Sequence, residues 1–392
     1  MVDQGAAQYS IVLGQRMTFP ELLQKTLETE ALGFDGLFLV DHFYGLKDLD
    51  DPTHEAYTML AALAPFTQRL RLGVMVAGNT YRNPAFLLKQ AITVDHISGG
   101  RVDFGVGAGW VEREHEAYGW HFPSAKERVD RFQEALEIWD ALQTNERTTY
   151  DGRFYQLLDA PFQPKAVQQP RLPVLIGGSG DRMLRLTAKH ADIWNIVGTP
   201  EEAAKANDRM NAACAEVGRE PSTLVRSVSP SINLLASVNA FVDGVRAYQT
   251  AGIRDIYFPW PRVEAEVPVL RVVAREALPL LRGAERGMDT SATSMRTVLQ
   301  VDDETLRNIL AGASSDQRRL LNWLAEHPEE RFDGQTLQRM LGIDQHRDVT
   351  VGMATLGKLF LDAGAARPWS EAQRGYLITS EAAKRLKAAG LK

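Results

Sequence analysis

Two ionisable residues, Asp41 and His42, directly follow an apolar run at residues 36–40. Because the run does not alternate with polar residues, it predicts a strand buried on both faces, as in a parallel sheet. The carboxyl ends of such strands carry the active sites of α/β proteins. An imidazole with a pKa of roughly 6.5 can give or take a proton near neutral pH. A plain capping role for Asp41 and a structural role for His42 remain equally open at this point.

A second buried run, residues 70–76, is followed by Gly78, Asn79 and Thr80. These residues break the pattern where the strand should emerge from the sheet. A kink or bulge there would expose backbone amides to a flat ligand. An ordinary loop between strand and helix explains the residues equally well.

Small residues and one large aromatic follow the next strand, at residues 101–106. Gly107, Ala108 and Gly109 leave room for a planar ring close to the backbone, and Trp110 offers a surface for stacking. Tight packing of strand against helix is the alternative explanation. In the helix that begins after Trp110, Glu114 is the acidic residue that we consider for proton transfer.

A fourth strand, residues 173–176, continues into Gly177, Gly178 and Ser179. A glycine-rich turn before a helix exposes free amides, and the helix dipole adds to their attraction for an anion. Late loops of this kind often bind phosphate in β/α barrels. A simple tight turn remains the alternative.

The remaining chemistry-bearing residues predict no metal site. The histidines show no HxH or HExxH spacing, and a single cysteine, Cys214, forms neither a zinc cluster nor an internal disulfide. A GxSxG elbow and a P-loop are also missing. The net charge of −6 gives no general attraction to nucleic acid or to an anionic membrane. With no apolar run of about 18 residues and no leader-like N-terminus, we expect a cytoplasmic protein.

The four strand ends belong to a regular alternation of strands and helices. Eight candidate strands alternate with helices over roughly 275 residues, which favours a closed (β/α)8 TIM barrel. A doubly wound sheet is less favoured, because Trp110 occupies the place of the third glycine in a dinucleotide fingerprint. Residues 144–169 break the alternation and predict an irregular insertion over the barrel mouth.

We expect three parts in the chain: a barrel at residues 1–283, a polar linker at 284–302 and a small α+β module at 303–392. Three predicted helices and a hairpin near residues 367–378 resemble a winged-helix domain. Because acidic and basic residues nearly balance in this module, nucleic-acid binding is less favoured than a lid, docking or dimer contact.

Several long segments resemble the bacterial luciferase-like flavin and deazaflavin oxidoreductases. The resemblance spans about residues 9–283 and rests on ALGFDGLFLVDHF, LGVMVAGNTYRNPAFLLKQAITVDHISGGRVDFGVGAGW, EREHEAYGWHFP and PVLIGGSGDRMLRLTAKHADIWN. It implies a (β/α)8 barrel that binds the cofactor ring at its carboxyl-end mouth and acts on a small-molecule substrate. It also makes a homodimer the expected assembly.

The resemblance further implies roles for individual residues. Asp41 would contact the ring and His42 would handle the proton. The family's bulge, often with a non-prolyl cis peptide, would fall at Val74–Met75, and the phosphate would lie on Gly177, Gly178 and Ser179. The DHF segment is most similar to the subgroup that uses coenzyme F420 and transfers a hydride at C5.

Two other functions are alternatives to an F420-dependent oxidoreductase. Members that use FMN with oxygen, as monooxygenases, share the fold. A flavin-fold sensor with a DNA-binding C-terminal module is the less favoured third possibility. Within the deazaflavin group, Trp110 and Leu46 depart from the sugar-phosphate dehydrogenases, which have an acidic residue and a tryptophan there. Oxidation of a sugar phosphate is therefore not expected.

Overall fold

The computed structural model describes residues 7–45, 50–261, 263, 266–286, 302–328, 330, 332, 334–342, 356, 360, 369–372 and 375–391. The chain divides into two compact units, Met1–Glu285 and Arg286–Lys392.

The first unit is a β/α barrel. Its strands, in chain order, are β1 (Tyr9–Leu13), β2 (Gly36–Leu39), β3 (Arg71–Val74), β4 (Ala77–Gly78), β5 (Val102–Gly107), β6 (Arg147–Asp151), β7 (Gln156–Pro161), β8 (Val174–Gly177), β9 (Ile193–Gly198), β10 (Val225–Pro230) and β11 (Asp255–Pro259). All of these except β4, β6 and β7 form a parallel ring, which closes where β3 pairs with β5. The predicted (β/α)8 barrel is thereby confirmed.

Helices surround the ring. They are α1 (Phe19–Ala31), α2 (Ala56–Leu63), α3 (Pro84–Ser98), α4 (Glu112–Ala117), α5 (Ala125–Thr144), α6 (Asp181–His190), α7 (Pro200–Glu216), α8 (Val238–Thr250), α9 (Val267–Val272) and α10 (Leu278–Arg286), with a π-helical turn at Val273–Ala277. Local sequence explains their starts: α1 and α7 each combine a threonine capping box with proline in the first turn. None of the helices among the described residues is long and apolar enough to cross a membrane.

Large side chains fill the barrel interior below its mouth. Phe38 and Tyr257 meet edge to face with ring centroids 4.8 Å apart. Leu175, Ile193 and Val225 complete this inner cluster. The ring of Phe38 needs room, since a Cβ at Gly73 would lie 2.5 Å from it. Packed side chains therefore fill the barrel interior below the mouth, and a ligand reaches the mouth from its open end.

The step from β3 to β4 depends on Gly105. A Cβ at Gly105 would lie 1.9 Å from the carbonyl oxygen of Val74, so that β3 and β5 can approach here only with glycine. The chain then bends through a cis peptide between Met75 and Val76. The predicted position of this cis peptide, Val74–Met75, was therefore wrong by one residue. The β2–β3 ladder continues through the Met75 N–H, which donates to Leu39 O at 2.8 Å, and the bend follows it.

The insertion after α5 forms a hairpin, with β6 and β7 antiparallel. The chain beyond it turns to the other end of the barrel. There the Gln168 side-chain amide donates to Asp95 (2.9 Å) and to the carbonyl of Val102 at the start of β5 (2.6 Å). The prediction that the insertion covers the mouth was wrong for the segment around Gln168. Asp95 and the Val102 carbonyl hold this segment at the amino end of the barrel.

The second unit contains α11 (Asp303–Gly312), α12 (Ser315–Glu326), α13 (Gly334–Leu341), a hairpin of β12 (Trp369–Ala372) and β13 (Gly375–Ile378), and α14 (Ser380–Ala388). Its apolar core includes Leu306, Leu321, Leu324, Leu337 and Leu386. Most of the predicted helix at residues 348–363, and residues 287–301 of the predicted linker, lie outside the described residues. The winged-helix assignment and the three-part division stay predictions.

Replacement of Gly105 by alanine should destabilise the barrel by roughly 3 kcal/mol or more, because the new methyl group meets backbone that cannot move aside. Gly14→Ala is the matched control. A Cβ at Gly14 has nothing within 4 Å, and its backbone is not left-handed. The control should change the free energy of unfolding by no more than about 1 kcal/mol. Urea unfolding of the two variants checks this, and equal stabilities would contradict the close approach.

Candidate active site

A cavity of 470 Å³ opens at the carboxyl ends of the barrel strands. It brings together eleven of the fourteen residues predicted from sequence: Asp41, His42, Met75, Gly78, Gly107, Ala108, Gly109, Trp110, Gly177, Gly178 and Ser179. Val74 and Asn79 are buried behind the lining, and Glu114 lies beneath His42 without lining the cavity. The structure thus joins the four separate strand ends into one mouth.

Other lining residues were missed by the sequence analysis. They are Val76, Ala77, Tyr81, Met183, Asn195, Ile196, Val197 and Ser229. Tyr81 follows the predicted bulge directly. Asn195 on β9 pairs with Gly177, the last residue of β8, and Ser229 lies toward the carboxyl end of β10. The rule that strand ends line a barrel mouth would have found the last two.

Glu114 is a fully buried carboxylate with three hydrogen-bond donors. The Phe43 N–H donates to Oε1 at 2.7 Å, and Oε2 accepts from Nδ1 of His42 at 3.2 Å and from the hydroxyl of Tyr81. Burial raises the pKa of Glu114, but these three hydrogen bonds outweigh burial and hold the pKa below its usual range. Glu114 is therefore the anion that organises this side of the mouth.

His42 is held in one orientation. Its Nδ1 faces Glu114, so the neutral ring carries its proton on Nδ1, a tautomer assigned from this hydrogen bond. Trp110 packs against the imidazole edge to face, with centroids 5.9 Å apart. The His42 side chain is 17% exposed and lines the cavity. Nε2 is therefore the nitrogen left for exchange of a proton with a bound molecule.

Asp41 has strong partners within the protein. Arg82 binds both carboxylate oxygens at 2.7 and 2.8 Å, and the Gly78 N–H donates to Oδ2 at 2.9 Å. Arg82 also binds Glu55 at 2.7 Å. Burial lowers the pKa of Arg82, but the two carboxylates outweigh this and raise it. Asp41 thus ties the end of β2 to the short strand β4, a structural role that sequence did not indicate. Its predicted contact with a cofactor ring stays a prediction.

The opposite side of the mouth is built from glycine. A Cβ at Gly107 would lie 2.9 Å from the Val76 side chain, and one at Gly177 would lie 3.3 Å from it. Gly109 has a φ of 83°, and a Cβ there would lie 2.4 Å from the Thr80 hydroxyl. Val76 and Thr80 therefore pack where other residues would carry side chains, and a planar ring system can lie against Val76 and the backbone of this glycine wall.

The turn before α6 offers amides to an anion. No side chain caps this helix, whose N-cap residue is Gly180, and Gly178 has a φ of 151°. Trp194 fixes the turn, since its indole N–H donates to the carbonyl of Gly178 at 2.8 Å. Arg209 binds the Ser179 carbonyl at 2.9 Å. The Gly178 N–H donates to the Asn195 carbonyl at 3.4 Å, and Arg209 also binds Asp181 at 2.6 Å. The amides at the start of α6, which no side chain caps, and the helix dipole suit a phosphate group.

The arrangement fits a flavin-like cofactor. A volume of 470 Å³ falls in the range of about 300–1,000 Å³ that is usual for ligand pockets. The glycine wall suits a tricyclic ring, and the turn before α6 suits a phosphate. The described residues contain no cluster of His, Cys, Asp and Glu that could hold a metal ion.

The model of the luciferase-like monooxygenase family matches residues 2–330 of the chain. The chain belongs to this family.

Individual relatives are similar over part of their length. The F420-dependent glucose-6-phosphate dehydrogenase of Intrasporangium calvum is 32% identical over 175 residues, which are 44% of this chain and 52% of the relative. The pyrimidine monooxygenase RutA of Agrobacterium fabrum is 30% identical over 210 residues, 51% of this chain and 57% of the relative. The matches thus span about half the length of these curated relatives.

Solved structures share the fold. The coenzyme F420-dependent tetrahydromethanopterin reductase from Methanopyrus kandleri superposes with a TM-score of 0.61 at 15% identity. The superposition covers 71% of this chain and all of that one.

Glu114→Gln should destabilise the first unit by roughly 1–3 kcal/mol at pH 7, because an amide cannot accept from all three donors. The pH dependence has a definite sign. Since the folded-state pKa of Glu114 lies below its reference value of 4.5, ionisation stabilises the fold above that value, and this contribution is lost as pH falls through the folded-state pKa.

The difference between wild type and Glu114→Gln should therefore be full at pH 7 and smaller at pH 3. Urea unfolding at the two pH values measures it. Glu112→Gln, on the exposed face of the same helix, is the control and should have little effect at either pH. An unchanged difference at pH 3 would contradict a buried ionised carboxylate.

Proposed function

We propose that the protein is an F420-dependent oxidoreductase that transfers a hydride between the deazaflavin C5 and a small organic substrate. The observation that carries the proposal is a single one: His42, oriented by the buried Glu114, shares a cavity with the glycine wall and the turn before α6. Names of relatives add support, since an F420-dependent dehydrogenase is among the similar sequences and an F420-dependent reductase among the similar structures.

Several groups would hold the cofactor. The ring would lie against Val76 and the backbone of Gly107, and the phosphate would bind at the turn of Gly177, Gly178 and Ser179 before α6. When bound, F420 supplies a carbon, C5, that accepts or donates a hydride. Every other requirement of the reaction falls to the protein.

The protein's own contribution is the control of one proton. Hydride transfer to a carbonyl, or from an alcohol, requires a proton to be given to the substrate oxygen or removed from it. The Nε2 atom of His42 would carry out that exchange. Glu114 is a positioning residue: it keeps Nδ1 protonated, holds the ring in place and stabilises the imidazolium when Nε2 takes up a proton. The hydroxyl of Tyr81 donates to Oε2 of Glu114, the oxygen that also accepts from His42.

An FMN-dependent monooxygenase is the second candidate. The similarity to the pyrimidine monooxygenase favours it, and the same cavity would accept the ring and phosphate of FMN. The two candidates differ in the cofactor bound and in the use of oxygen. Sugar-phosphate oxidation stays outside the proposal, because Trp110 stands at the cavity with 68% of its surface exposed in place of an acidic residue. Leu46, the other departure, lies outside the described residues.

Titration of the purified protein with F420 and with FMN separates the two candidates. We expect F420 to bind in the micromolar range or tighter, with a change in its absorbance and fluorescence, and FMN to bind at least tenfold more weakly. Gly178→Val should weaken binding, because valine disfavours the backbone conformation that the turn before α6 requires. Tight binding of FMN with no affinity for F420, together with oxygen consumption by the reduced protein, would establish the alternative.

His42→Ala should keep the cofactor affinity but lower turnover by at least about 100-fold, the usual scale for a general acid or base. Steady-state kinetics after a substrate screen measures this, with His121→Ala as an exposed-histidine control. Unchanged turnover in His42→Ala would assign the proton to solvent or to another group.

A further inference from the structure

A second cavity, which we call the lower cavity, lies at the opposite end of the barrel. It has a volume of 570 Å³ and opens between α7 and the amino ends of β10 and β11. Its polar lining includes Asn207, Asp208 and Asn211 from α7, and Arg226 and Arg254 from the strands and their approaches. Arg226 lies three positions before Ser229 of the mouth on the same strand, a separation of about 10 Å along β10.

Arg226 is a buried cation with few partners. The residue is 8% exposed. Its Nη2 donates to Asn211 Oδ1 at 2.9 Å and lies 3.9 Å from the sulfur of Cys214. Its Nη1 is buried with no hydrogen-bond partner. The guanidinium lies 5.5 Å from the ring of Trp194. Burial is the largest influence on Arg226 and lowers its pKa.

No carboxylate forms an ion pair with Arg226 in the part of the chain that the structure describes. Other largely buried arginines are treated differently: each is bound by a carboxylate or by several carbonyl oxygens. Arg71 binds Asp103, Arg82 binds Asp41, Arg171 binds Asp192, Arg282 binds Asp35, and Arg101 donates to the carbonyls of Ala64, Thr67, Leu70 and Ser98. Arg226 therefore differs from these arginines, because it has neither a carboxylate partner nor several carbonyl partners.

Burial of a charge without a counterion is unfavourable, so that a bound anion would gain more here than at a solvated arginine. The planar guanidinium offers paired donors that match a carboxylate or phosphate. On α7, one turn before Asn211, Asn207 Oδ1 is a buried acceptor without a donor, and the Asp208 carboxylate adds a second acceptor. These acceptors suit a hydroxyl or amino group on the same ligand.

We propose that the lower cavity is a second binding site, for a small metabolite that carries an oxyanion and a hydroxyl or amino donor. Its carboxylate or phosphate binds Arg226, and its donor binds Asn207 or Asp208. This site is separate from the mouth and does not depend on the identity of the cofactor.

The test uses the whole chain and two probes, inorganic phosphate and L-malate, which separate the two kinds of oxyanion. Calorimetric titration gives the affinity, and thermal unfolding gives the stabilisation. At about a hundredfold excess over its dissociation constant, a bound probe should raise the melting temperature by roughly 5 °C or more. We expect at least one probe to produce this rise in the wild type.

The variants identify the site. Arg226→Gln should abolish the rise in melting temperature. Arg226→Lys, which keeps the charge without the planar guanidinium, should lower the affinity for the probe by roughly tenfold. Arg246→Gln removes an exposed charge from the neighbouring helix α8 and should leave binding unchanged. An anion held only at the turn before α6 would bind wild type and Arg226→Gln equally, and that result overturns the proposal. Failure of both probes to bind at 50 mM overturns it as well.

Discussion

The mouth of this barrel depends on one buried carboxylate. Glu114 on α4 is closed to solvent, yet it is held as an anion by donors from two other segments: the residues after β2, through His42 and the Phe43 N–H, and the residues after β4, through Tyr81. A buried charge is tolerated only when such donors satisfy it. The positions of the three segments therefore depend on one another, because displacement of any one of them leaves the buried Glu114 carboxylate without its full set of hydrogen bonds. His42, the side chain that we propose for proton transfer, is thereby fixed by the same contact that stabilises the loops around it.

A second constraint lies in the backbone of the barrel. The approach of the Val74 carbonyl to Gly105 allows β3 and β5 to pair, and the bend at Met75–Val76 then turns the chain across the mouth. Asp41 accepts from the Gly78 N–H and from Arg82, both beyond the bend, whereas its neighbour His42 is held by Glu114 on α4. The open face of the cavity is left with glycine, Val76 and Trp110, a surface suited to a flat ring.

Much of this could be predicted from sequence because apolar periodicity reports burial. The eight strands were found, and their ends pointed to eleven residues of the cavity. Contacts between distant side chains were harder to predict: the pairing of Asp41 with Arg82 depends on where the bend falls, and the bend was placed one residue early. The position of the insertion after α5 could not be read either, since Asp95, 73 residues from Gln168, holds it at the far end of the barrel. Periodicity carries no information about such partners.

We propose that a deazaflavin binds in this cavity beside a histidine oriented by Glu114. A crystal structure of the protein soaked with oxidised F420 would show the ligand directly. We expect the ring against Val76 and the glycine wall, the phosphate at the turn of Gly177, Gly178 and Ser179, and His42 still bound to Glu114 through Nδ1, with Nε2 facing the ring's substrate side. Cofactor density outside the mouth, or a His42 side chain turned away from Glu114 in the bound state, would contradict it.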